Sequence, residues 1–167
     1  YSDSGEIEQK SNFEAGVQNG LTENFYASGE LHKKLWYVDG KQDGHQFLYH
    51  KNGTLLSEFL MKKGSKNGVI HFYYKDGSLN FTDEYSENRV ISRIGYSVSG
   101  LEDSNLSFSY NSNGKRFKSG IEREFFKDSN ELSWEFHYNT GNVTNAKQYY
   151  KSGNLAKEIF FKNGKAT

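Results

Sequence analysis

Five histidines and a scattered set of carboxylates are the side chains that could hold a metal or move a proton in this chain. Their spacing gathers none of them into a site. His45 and His50 are an odd number of residues apart, so on one strand they face opposite sides. His50 stands where Tyr26 and Tyr74 stand in neighbouring stretches of similar sequence, and His71 stands where Phe47 does. Both histidines therefore read as replacements for an aromatic ring. Asp83 and Glu84 are adjacent and must also face opposite sides, which makes them a poor acid/base pair. Glu58, Glu135 and Glu158 share one repeat position, where Lys147 can pair across a strand with Glu158. Solvated pairs of this kind contribute little. No zincin, Walker, nucleophile-elbow or EF-hand pattern occurs. With no cysteine, thiolate metal sites and disulfides are excluded. The expectation is a protein without catalytic residues, metal or cofactor.

The elements that carry these side chains are set by a repeat. Gly20, Gly44 and Gly68 are spaced by 24 residues, as are Gly29, Gly53 and Gly77, and Leu31, Leu55 and Leu79. Tyr149, Gly153, Leu155, Phe161 and Gly164 answer Phe25, Gly29, Leu31, Tyr37 and Gly40 at an offset of 124. Phe126, Leu132, Tyr138 and Gly141 mark another copy between them. About seven copies fill residues 1–167 as one domain. Residues 88–119 fit worst: Ser92 replaces an expected glycine, and a longer loop is expected around Asn111 to Gly114.

Within each copy the hydrophobic period is two, and turn signals recur about every dozen residues, which excludes helix. Aromatics make up 16% of the chain, with 17 glycines and no proline, a composition suited to strands joined by glycine turns. Ser28-Gly29, Asn52-Gly53, Asp76-Gly77 and Ser152-Gly153 form one turn series; Asp39-Gly40, Lys63-Gly64 and Asn163-Gly164 form the other. Both are read as two-residue hairpin turns, with a three-residue turn at Asp128-Ser129-Asn130. A two-residue turn at Asp76-Gly77 pairs Tyr74 with Leu79 and Phe72 with Phe81, so those four share an apolar face. The opposite face then carries one aromatic per clear copy: Phe25, Tyr49, Tyr73, Phe125 and Tyr149. Trp36, Phe47 and Leu60 lie on that face too.

Tyr73-Tyr74-Lys75-Asp76-Gly77-Ser78-Leu79, Tyr149-Tyr150-Lys151-Ser152-Gly153-Asn154-Leu155 and the linking Gly40-Lys41-Gln42-Asp43-Gly44 resemble the bacterial variant of the MORN repeat. The pattern is that of YwqK-like proteins described as antitoxins. The resemblance implies an all-β fold: an elongated, single-layer, twisted antiparallel meander of about seven 24-residue hairpins. It also implies contact with a protein or membrane, and the chain departs from it between Asn88 and Ser119.

Formal charge is zero, with 21 basic and 21 acidic side chains, so there is no basic footprint for nucleic acid and no polybasic cluster for lipid. The expected function is a non-catalytic protein–protein interaction module, of antitoxin or immunity type. The alternative is a cell-surface carbohydrate or wall-binding module, against which stands the presence of only Trp36 and Trp134, at different repeat positions. The expected contact residues are Phe25, Trp36, Phe47, Tyr49, Tyr73, Phe125 and Tyr149. A monomer is expected ahead of an edge-paired dimer. The chain begins at Tyr1 rather than Met, so a preceding segment is expected to have been removed, by cleavage of a secretion signal or by trimming of the clone; the compartment stays open, with a secreted or envelope location expected ahead of a cytoplasmic one.

Overall fold

A computed structural model describes residues 5–127 and 129–167; Asp128, expected in a turn, lies outside the described residues. Every regular element among the described residues is a β-strand, and all pairings are antiparallel. The chain forms two compact units, Tyr1–Arg89 and Val90–Thr167. The first unit contains β1 (Gln9–Glu14), β2 (Val17–Phe25), β3 (Leu31–Val38), β4 (Lys41–Gln42), β5 (Gly44–Tyr49), β6 (Leu55–Lys62), β7 (Ser65–Lys66), β8 (Gly68–Tyr73) and β9 (Leu79–Ser86). The second contains β10 (Arg89–Tyr96, starting on the boundary residue), β11 (Glu102–Tyr110), β12 (Arg116–Phe125), β13 (Leu132–Asn139), β14 (Asn142–Tyr149), β15 (Leu155–Lys162) and β16 (Lys165–Ala166). In each unit a strand pairs with its neighbours in sequence, as a hairpin meander requires.

Two kinds of turn alternate. At Asp39-Gly40 both residues have positive φ, 50° and 75°. Lys63-Gly64, Thr140-Gly141 and Asn163-Gly164 do the same, as the two-residue type I′ hairpin demands. Glu87-Asn88 belongs to this series without any glycine, which is why the spacing of glycines passed over it. The other series differs from expectation. The Gly77 N–H donates to the Tyr74 carbonyl at 3.0 Å and the Tyr74 N–H donates to the Ser78 carbonyl at 2.8 Å, enclosing three residues, Lys75-Asp76-Gly77. The same bonds close the loops that end at Gly29, Gly53, Gly100, Gly114 and Gly153. Only the glycine needs the left-handed conformation here, because the loop is a type I turn followed by one left-handed residue.

One extra loop residue would slip the register and turn every later side chain to the wrong face. A bulge cancels the slip. Tyr73 pairs with Leu79, but Phe72 pairs with Phe81, leaving Asn80 between them. His32 and Leu56 are skipped in the same way in the first unit. Asp103, Ser133 and Ala156 are skipped in the second. The Phe72–Phe81 pairing is thus as expected, whereas Leu31, Leu55 and Leu79 are not. They pair with Phe25, Tyr49 and Tyr73, on the aromatic face rather than the packed one.

Gly20, Gly44 and Gly68 mark a second irregularity. β3 pairs Tyr37 with Gln42 of β4 but Lys34 with Phe47 of β5, so two residues, Asp43 and Gly44, are looped out of the ladder. Gly44 takes φ of 94° there. Two residues past each such glycine stands a fully buried side chain: Thr22, Gln46 and Ile70. The Gln46 amide takes the place of a missing strand partner. It accepts from the Trp36 N–H at 3.0 Å and donates to the Trp36 and Gly44 carbonyls at 3.2 and 3.0 Å.

The first unit packs one face, around Phe59, Met61 and Ile70, with Leu48, Phe72 and Tyr85 against them. The Phe72 and Phe81 rings stack at 4.3 Å, and the Lys66 ammonium lies 4.4 Å over Phe59 and 5.4 Å over Tyr85. The long lysine stem covers rings that no second layer covers among the described residues of this unit. In the second unit the packed face centres on Leu106 and Ala146, with Trp134 stacked on Phe136 and Lys118 over the Tyr138 ring. Here the irregular stretch is regular in another sense. β11 and β12 pair without interruption from Ser104↔Glu122 to Tyr110↔Arg116, closed by a three-residue loop at Ser112-Asn113-Gly114. The strands come so close at Gly120, φ 121°, that a Cβ there would fall on the Asn105 carbonyl oxygen.

Candidate interaction surface

The face opposite the packed one in the first unit is built as three rows running across the strands. Cross-strand partners share a face, so the register defines each row. The row nearest the two-residue turns carries Leu21, Trp36, His45, Leu60, Val69 and Glu84. The middle row carries Glu23, Lys34, Phe47, Glu58, His71 and Thr82. The third, beside the three-residue loops, carries Phe25, Tyr49 and Tyr73 with their leucine partners. Of the expected contact residues, Phe25, Trp36, Phe47, Tyr49 and Tyr73 therefore share this face, each half-buried by its neighbours. Trp36 meets Phe47 edge-on at 6.0 Å, and His45 stacks on Phe47 at 6.2 Å. Leu60 and Val69 are 55% and 56% exposed, which is uncommon for apolar side chains in the middle of a strand.

The rims tie one repeat to the next through hydrogen bonds. The Tyr26 hydroxyl donates to the Tyr49 carbonyl at 2.8 Å, and the His50 Nε2–H donates to the Tyr73 carbonyl at 2.9 Å. A carbonyl can only accept, so His50 is held as the Nε2–H tautomer and serves as a strut, in the place of a tyrosine. At the other rim Gly40 and Gly64 donate to the Gln18 and Gln42 carbonyls.

The corresponding face of the second unit has different chemistry. Phe125 and Tyr149 lie on it, half-buried, but its middle row is Arg123, Glu135, Lys147 and Glu158 in cross-strand register. Arg123 Nε donates to Glu135 at 3.1 Å, and His137 Nε2–H donates to the other Glu135 oxygen at 2.8 Å. Arg123 also reaches Glu102 at 3.3 Å, and Lys147 stands 3.9 Å from Glu158. Burial raises the Glu135 carboxyl, but the hydrogen bonds from His137 and Arg123, with their charges, outweigh it and hold the group below the ordinary glutamate range. The charges on this row neutralise one another. Among the described residues no group of acidic and histidine side chains is placed to hold a metal ion.

Recurring strand pairs with a left-handed glycine in most of their turns make a recognisable unit. Residues 42–63 and 143–163 match the MORN repeat variant. The two MORN matches lie in different units, and each spans one strand pair with its rim turns. No curated protein matches the chain. A chain in a solved structure described as "Crystal structure of GtfA/B complex" is 10% identical, with a TM-score of 0.30; the alignment covers 95% of this chain and 22% of that one. That similarity is too slight to argue from. Each matched segment includes the positive-φ glycine of its three-residue loop, Gly53 in one and Gly153 in the other.

Proposed function

We propose that the protein is a non-catalytic interaction module whose contact surface is the aromatic face of the first unit, and that its partner is another protein. One observation carries this reading: Trp36, Phe47, Tyr49 and Tyr73, with the exposed Leu60 and Val69, stand on a laced sheet with no layer above them among the described residues of the first unit. Tyrosine and tryptophan on a rigid face offer large contact area at low entropic cost, the character of binding hot spots. Exposed apolar side chains clustered on one face, here crossed by the charged middle row, commonly mark an interface. An antitoxin or immunity-type partner is in keeping with the repeat family. A carbohydrate partner is disfavoured, because Trp134 lies on the packed face of its unit and leaves Trp36 without a companion.

The test is the double variant Tyr49→Ser/Tyr73→Ser. Circular dichroism is expected to show an intact sheet, since the packed face is untouched. Affinity for the partner, measured by calorimetric titration once it is in hand, is expected to fall by roughly 2 kcal/mol or more. Unchanged affinity in the folded variant would refute the surface.

A further inference from the structure

Asparagine followed by glycine occurs five times, at Asn19-Gly20, Asn52-Gly53, Asn67-Gly68, Asn113-Gly114 and Asn163-Gly164. Such a pair can react with itself. The glycine nitrogen bonds to the asparagine Cγ, the Cγ–Nδ2 bond breaks, and ammonia leaves with the proton displaced from that nitrogen. Water then opens the cyclic imide at either carbonyl to give aspartate or isoaspartate. The step needs the side-chain amide free to turn and the glycine N–H free of an acceptor.

Four of the pairs are held. Asn19 Nδ2 donates to Glu14 at 3.1 Å, and Gly20 lies in the ladder opposite Tyr37. Asn52 donates to the Lys75 carbonyl at 3.0 Å and accepts from the Thr54 hydroxyl at 2.7 Å, while the Gly53 N–H is bound to the His50 carbonyl. Asn67 Oδ1 accepts the Glu87 N–H at 2.8 Å. The Gly114 N–H is bound to the Asn111 carbonyl at 2.9 Å. Asn163-Gly164 differs from all of these. Both residues are exposed, and neither the Asn163 side chain nor the Gly164 N–H has a partner among the described residues. At the equivalent turns Gly40, Gly64 and Gly141 donate to Gln18, Gln42 and Lys118.

We infer that Asn163 is a site of spontaneous imide-forming modification, converting to aspartate or isoaspartate ahead of the other four asparagines. The fold makes the choice, because breaking even one hydrogen bond of about 1.4 kcal/mol slows a held pair roughly tenfold. Isoaspartate adds a methylene to the main chain in a two-residue turn whose φ angles are 53° and 76°. It would undo that turn, together with the pairing of Phe161 and Lys162 with β16.

The experiment is peptide mapping by mass spectrometry after incubation of the folded protein at mildly alkaline pH, with a parallel sample in urea. The peptide containing Asn163 is expected to convert roughly tenfold or more faster than any other in the folded sample, with the five rates drawing together in urea. Faster conversion at another pair would overturn the assignment. So would an equal lead for Asn163 in urea, since the selectivity would then lie in local sequence and not in the fold.

Discussion

Gln46→Ala probes the device that lets the array bend out of its ladder without leaving backbone groups unpaired. The side chain is fully buried and makes three hydrogen bonds. After truncation the Trp36 carbonyl keeps the Asp43 N–H at 2.9 Å, but the Trp36 N–H loses the acceptor that Gln46 supplied. An orphaned buried donor costs about 1–3 kcal/mol, and loss of the two remaining bonds and of side-chain packing adds about another 1 kcal/mol. The expected destabilisation is therefore about 2–4 kcal/mol, confined to the first unit. The assay is urea titration followed by tryptophan fluorescence in a Trp134→Phe background, where Trp36 alone reports, with Lys62→Ala as an exposed reference expected to change by under about 0.5 kcal/mol. Equal midpoints for Gln46→Ala and Lys62→Ala would refute the claim that the amide replaces a strand partner.

Gly120→Ala is expected to cost roughly 3 kcal/mol or more, since φ is left-handed and the new methyl meets the Asn105 carbonyl; thermal unfolding near that of the parent would contradict the close approach. Glu135 has a folded pKa below its unfolded value, so the stability it contributes is present at neutral pH and is lost as pH falls through the folded pKa. Glu135→Gln should cost about 1 kcal/mol at about pH 7 and progressively less as pH falls through the folded pKa, read from paired urea titrations; a pH-independent gap would dismiss the ion-pair account.

The period of 24, the absence of helix among the described residues, the two-residue turns and the separation into two faces are all visible in the residue string. They rest on local chemistry: alternation sets the face, and Asp-Gly or Asn-Gly sets the turn. Glu87-Asn88 contains no glycine and so carries no turn signal in the sequence, although both residues take positive φ. The three-residue loops and their compensating bulges could not be read either. Two errors of one residue cancel by Phe72 and Phe81, so parity along the strand looks the same with or without them, and only the placement of Leu31, Leu55 and Leu79 exposes the difference. The seven expected contact residues were placed by parity, which survives the cancellation. Parity is silent on what lies between them. Whether the middle row is an open Phe47 among unlike neighbours or a closed chain of Arg123, Glu135, Lys147 and Glu158 depends on which side chains the register sets opposite one another. The role of Gln46 is likewise tertiary: a glutamine among aromatics reads as a surface residue until the looped-out Asp43-Gly44 brings its amide level with the Trp36 backbone.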